Sequence, residues 1–416
     1  MIPTPIDSRP SWGSFSAAPH RMCFWSGTLF GLAAVGFWSV QQASLYTTLW
    51  PPISWSVPYP AAHGFMMVYG WMGFFMFGFL LTTFPRWLDT EPIPRAAWIV
   101  AWAALSFGGA TFWAGLLLHR VLVVAGALAM GLGYTVAIVF CARVLIASRT
   151  PGRSQQAWLL LTLATGVCGI LLAAYGFATD SFAALSASRQ LGLHPFLLGV
   201  VLTVLYRMVP FFTTMVTPGM ELRRAPHGVA LFAITLWGRT ALAFLSAEDW
   251  LWLPDLVLLA LLLREGWTWR FWRANFPPLL LILYLALGWL ALSLAGSGLG
   301  GLARFVTGHS MPMLDAAALH AMTLGGFGGL VLGIGTRVSL GHSGGGLATD
   351  RFLAILFYAF QLAPLLRIAP EMAAPWWPAL RVQGFWSGLV WLVVFGLWFA
   401  RIGPVLMRPR SDGRPG

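Results

Sequence analysis

Twelve runs of roughly 20 mostly apolar residues follow one another along the chain, near 25–47, 62–84, 96–118, 121–146, 156–178, 188–216, 227–247, 250–266, 276–296, 313–336, 351–369 and 382–403. About 20 such residues form an α-helix long enough to cross a bilayer. Pro and Gly mark the gaps: Pro51-Pro52, Pro92 and Pro94, Pro151-Gly152, Pro218-Gly219, Pro277-Pro278, Gly344-Gly345-Gly346 and Pro375. No gap is long enough for a soluble domain. The pattern predicts an all-α integral membrane protein. A polar tail spans 1–24, a twelve-helix transmembrane domain 25–403, and a second tail 404–416.

Composition narrows the class. Apolar residues make up 58% of the chain and charged residues 9%, against roughly a quarter charged in soluble domains. That excludes an ordinary cytosolic enzyme, a disordered chain and a nucleic-acid binder. The net charge is +12, and all 25 basic residues are Arg. With a cytosolic N-terminus, 18 Arg fall on the cytosolic side and 5 (Arg120, Arg189, Arg304, Arg367, Arg381) on the other. Arg207 and Arg239 fall within spans. This asymmetry predicts cytosolic termini, with lipid as the surrounding partner. Cys23, Cys141 and Cys168 form no CxxC or CxxCH. So no disulfide framework, thiolate zinc site or covalent haem attachment is expected, and any haem would be held non-covalently.

The eight His place the candidate chemistry. His20, His119, His227 and His309 fall in or beside loops and read as solvated. His63, His194 and His320 sit near the outer ends of spans two, six and ten, which all run inward. From His63 to Arg86 is 23 residues, about 35 Å of helix, and from His320 to Arg337 is 17, about 26 Å. The imidazoles therefore share one side of the membrane. An ionisable residue at such depth is a functional candidate by default, although each could instead bond a neighbouring carbonyl. Imidazole suits iron and copper. His63 and His320 are the pair expected to hold a b-type haem, with Met67 as an alternative soft ligand and His194 left for a second metal or a pocket role. The face Met67, Gly70, Phe74, Phe77 could cradle a macrocycle or simply pack a helix. Arg207, about 20 Å below His194, would hold an anionic cofactor group or snorkel to the interface, with Asp255 and Asp315 as the nearest acids. His342 reads as a ligand, a proton-handling group or a loop histidine.

At these residues the chain resembles the NnrS family. His320-Ala321-Met322-Thr323 precedes a Gly-rich helix and then Thr336-Arg337-Val338-Ser339-Leu340-Gly341-His342-Ser343-Gly344. Arg207-Met208-Val209-Pro210-Phe211-Phe212-Thr213 and Gly78-Phe79-Leu80-Leu81-Thr82, followed by Pro85 and Trp87, are similar to two further elements of that family. The likeness covers most of the chain. It implies a bacterial haem- and copper-containing membrane protein, with His ligands, linked to nitric oxide, nitrosative stress and denitrification. One element departs: where the family usually has His-Ala-His-Glu-Met, this chain has His63-Gly64-Phe65-Met66-Met67. A weaker analogy is to haem–copper oxidases, which also place His on helices two, six and ten. Span seven here lacks their adjacent His pair and span ten has only His320, so the analogy concerns architecture alone. The rival readings are a cofactor-free twelve-helix transporter and a membrane scaffold. The segment from Pro85 to Arg95 lacks the signature of major facilitator transporters.

Overall fold

The computed structural model describes residues 9–221, 223–344, 346 and 349–412. Arg414, Gly345 and residues 1–8, used above, lie outside them, as does the side chain of Arg381. The described residues form helices and loops with no strand. After a short turn at Trp12–Phe15 come α1 (Pro19–Tyr46), α2 (Tyr59–Trp87), α3 (Arg95–Leu118), α4 (Arg120–Ala147), α5 (Ser154–Thr179) and α6 (Phe182–Val216). Then follow α7 (Gly228–Phe244) and α8 (Trp252–Thr268). The last four are α9 (Pro278–Thr307), α10 (Pro312–Gly341), α11 (Arg351–Ala373) and α12 (Pro378–Met407).

Among the described residues, ten helices are long and apolar enough to cross a membrane. The expected spans seven and eight correspond to α7 and α8, of 17 residues each. That is about 25 Å of helix, short of a hydrocarbon core of about 30 Å, and α8 also carries Asp255, Arg264 and Glu265.

Three helices form the centre. The apolar stretch is 89% buried in α2, 83% in α6 and 72% in α10, and no more than 56% in any other. These three helices carry His63, His194 and His320. Close packing around them uses glycine. A Cβ on Gly126 would strike the backbone of Phe112, and one on Gly115 the backbone of Val123, so α3 and α4 touch main chain to main chain.

Several boundaries differ from the pattern. The first helix starts at Pro19, so His20 and Arg21 are buried inside it. Arg21 tolerates this because its Nη1 donates to the carbonyls of Ser14 and Arg408, at 3.1 and 2.5 Å. His20 is thus not the solvated residue the pattern suggested. The ninth helix continues past Gly296 to Thr307. Its later glycines pack rather than break: Cβ atoms on Gly298 and Gly301 would meet Leu256 at 2.6 Å and Trp252 at 3.0 Å. The eleventh runs to Ala373, past the expected end at 369, so that Glu371 joins Arg367 on one helix.

Candidate functional site

Each central helix changes its winding beside its histidine. Met66–Trp71 of α2, Gly192–Leu198 of α6 and Ala321–Phe327 of α10 are π-helical. Such single turns are rare in proteins and concentrate at functional sites. In α6 the π turn absorbs Pro195, whose missing N–H cannot join an α ladder. Proline thus stands inside the helix, well past its first residue Phe182. Carbonyls near these turns are satisfied from neighbouring helices. Tyr134 Oη donates to the Tyr69 carbonyl and Ser293 Oγ to the Ala318 carbonyl, each at 2.7 Å.

The turns aim two of the three imidazoles into one space. His63 and His320 line a cavity of about 170 Å³ between α1, α2, α6, α10, α11 and α12. Met67 lines it too, one turn beyond His63. Trp38 stacks on His63 with ring centroids 4.4 Å apart and planes 22° from parallel. Gly64 opens directly onto the cavity, for a Cβ there would meet nothing within 4 Å. Arg189 and Arg367 are its two lining cations.

The two histidines differ in their partners. His63 Nδ1 is buried and lies against the Ala34 carbonyl without a hydrogen bond of normal geometry. His320 is held at both nitrogens. Arg367 Nε donates to Nε2 at 3.2 Å, so Nδ1 carries the proton and donates to the Ala316 carbonyl at 2.8 Å. Glu371 Oε2 stands 3.3 Å from the same Nδ1, and Glu371 Oε1 pairs with Arg367 at 2.8 Å. A backbone carbonyl and a carboxylate on Nδ1 are the partners that orient metal-bound imidazoles. The donor set fits a haem. Two imidazoles from different helices line one cavity, the Trp38 ring lies beside His63, and two guanidiniums suit carboxylate substituents. His320 can offer Nε2 only when Arg367 releases it.

The other sequence candidates lie elsewhere. His194 lines a separate cavity with Arg239 and Asp255. Those two form a buried ion pair, with Nε to Oδ1 2.6 Å apart, so Asp255 is not the partner of Arg207. Arg207 sits over the Trp87 ring at 5.2 Å, at the other end of the helices. Thirteen residues of helix separate it from His194, so it cannot serve the histidine cavity as a counter-ion. Gly70 makes room for Phe30 of α1 rather than for a macrocycle, because the π turn rotates it off the Met67 face. In α10, Gly325, Gly326 and Gly328 likewise receive Trp289, Leu290 and Phe360. Phe65, at the departing family position, points away from the cavity and stacks on Phe112 at 4.8 Å. Among the described residues no group of three or more His, Cys, Asp or Glu is placed to hold a metal ion.

The motif stretches 78–87, 207–213 and 336–344 gather at the end opposite the histidine cavity, whereas 320–323 belongs to the cavity itself. Arg337 of α10 lies 3.9 Å over the Phe212 ring of α6 and donates to Met215 Sδ at 3.3 Å. Arg86 Nη1 is 3.3 Å from His342 Nε2, and the His342 ring is 4.7 Å from that of His20. Burial, and after it the guanidiniums of Arg86, Arg410 and Arg21, pushes His342 down to about 4.

Sequence reasoning missed Arg367, Glu371, Trp38 and Arg189. A signal for the first two was present: an Arg and a Glu four residues apart at the end of an apolar run pair on one helix face. A family model described as "NnrS protein" matches residues 14–410, nearly the whole chain. No curated protein matches it.

Proposed function

Since the chain belongs to the NnrS family, we propose that it is a membrane b-type haem protein of the nitric oxide response. The observation that carries this reading is that His63 and His320 line one cavity, with Arg189 and Arg367 on its wall. His63 and His320 would hold the iron, and the two Arg the propionates. Bound there, haem supplies a one-electron centre and a site for a diatomic ligand. The proposal is for haem alone, because His194 offers a single imidazole in another cavity.

The protein's own part is to hold and release His320. Arg367, anchored by Glu371, and the Ala316 carbonyl give the ring a defined resting place. Were haem bound, return of His320 to that place would leave room for a small ligand. His63 has no such alternative donor and stays as the fixed ligand. The Arg asymmetry supports cytosolic termini, with the histidine cavity toward the outer face of the inner membrane.

The test is a titration of the dithionite-reduced, detergent-purified protein with nitric oxide, followed in the Soret band. A saturable shift is expected, and Arg367→Leu should weaken it by removing the place where His320 rests. Iron-replete protein whose spectrum ignores nitric oxide would overturn the nitric oxide reading.

A further inference from the structure

Between the histidine cavity and the motif end, the central helices enclose a smaller cavity of about 60 Å³. It takes up each helix where the histidine cavity leaves off. On α2 it begins at Met72, which lines both spaces. On α6 it begins at Val200, after Leu197, and on α10 at Leu330, after Phe327. Phe24 of α1 closes the remaining side. Every lining residue is buried except Ile334, which is half-buried.

The lining has no hydroxyl, amide, imidazole or charged side chain. The nearest hydroxyls along α6 and α10, those of Thr203 and Thr336, donate to the Gly199 and Leu332 carbonyls of their own helices. A buried water makes about three hydrogen bonds, and these walls supply no partner for it. The volume nevertheless exceeds the roughly 10–15 Å³ that a water needs. Three of the four residues from α6 are valines (Val200, Val201, Val204), and a larger aliphatic side chain at any of them would extend into the space. What fits is small, uncharged and indifferent to hydrogen bonding. Apolar cavities in protein interiors take up xenon for the same reason.

We infer that this cavity is a docking site for an apolar diatomic gas, which in the reading above is nitric oxide. The inference deepens the haem reading and rests on it, since the docked gas lies one side chain from the His63–His320 cavity. That side chain is Met72. It is unbranched, with three rotatable bonds, and swings aside without moving a helix. A gas molecule leaving the histidine cavity is thereby held close by and returns, instead of escaping into lipid.

Two measurements on the full-length protein test this. Crystals of the detergent-purified protein under xenon pressure should show an anomalous xenon peak among Phe75, Val201 and Leu330. Val204→Phe, which fills the space, should remove it. Val201→Leu, which narrows the space with less added bulk, is the second variant should the first not fold. Laser photolysis of the nitric oxide complex of the reduced holoprotein should give a fast and a slow geminate recombination phase, and the same variants should lose the slow one. No xenon peak in the unaltered protein, a peak that persists in the folded variants, or a slow phase unchanged by them would overturn the docking site. A haem spectrum without a xenon peak sinks the docking site alone. A xenon peak at this place in a chain that binds no haem sinks the haem reading and leaves the apolar gas site standing.

Discussion

At the scale of single residues, the account turns on what each imidazole touches. His320 has a backbone carbonyl and Glu371 at Nδ1 and a guanidinium at Nε2. His63 has Trp38 on its face and no full hydrogen bond at Nδ1. Removing either ligand should therefore give different defects. His63→Ala should abolish haem binding. His320→Ala should leave five-coordinate, high-spin haem, visible as loss of sharp reduced α and β bands. His119→Ala, at an exposed helix cap, should change neither spectrum. Glu371→Gln removes a negative charge beside the ligand and should raise the haem midpoint potential, by on the order of tens of millivolts. An unchanged potential in a potentiometric titration would count against a carboxylate role. These contacts were not legible in the sequence, because spacing gives depth along a helix but not which neighbouring helix supplies a partner. Arg367 illustrates this: it counts only among the Arg of the outer side, and no spacing sets it against His320.

At the scale of elements, hydropathy fixed the helices well and their ends less well. Gly298 and Gly301 fall beyond the expected end of span nine at 296 but are contact points for α8 within the helix, since a missing Cβ lets helices approach as readily as it lets a chain turn. The π turns were invisible, because one extra residue per turn leaves the hydropathy pattern almost unchanged. They nonetheless decide which side chains line the cavity and why Gly70 does not. The α7–α8 pair owes its union to Arg239 and Asp255, both buried. Asp255→Ala should leave a buried guanidinium without a counter-charge and destabilise the protein by about 3–5 kcal/mol, whereas Arg239→Met with Asp255→Leu should cost far less. Thermal denaturation in detergent tests this; equal losses from the two would contradict it.

The end of α10 adds a pH dependence. His342 is held near 4 in the fold against roughly 6.5 when released. The unfolded chain therefore binds its proton more tightly, and stability falls as pH drops from about 6.5 toward 4. The melting temperature should fall between pH 7 and pH 5, and His342→Gln should reduce that fall.

At the scale of the whole molecule, three buried helices carry the histidines at one end and most of the matched family motif residues at the other. Arg86 with His342, Arg207 over Trp87 and Arg337 over Phe212 tie α2, α6 and α10 together far from the cavity. Those motif residues thus hold the central helices in position, and of the matched stretches only 320–323 reaches the candidate cofactor site. That is why the family was legible from the chain alone, while Arg207 was given a role at a site it does not reach. The depth of His63 and His320 followed from helix arithmetic, and the shared side of all three histidines from the direction of spans two, six and ten. The division between two cavities did not, because it depends on how each helix is rotated.

The central claim is that His63 and His320 hold a haem between them. The most direct test is the optical spectrum of detergent-purified protein, air-oxidised and then dithionite-reduced, with iron determined on the same sample. The account predicts about one iron per chain and, on reduction, the sharp α and β bands of a low-spin haem with two imidazole ligands. Well-folded protein, produced with ample haem supply, that shows no Soret band would contradict it.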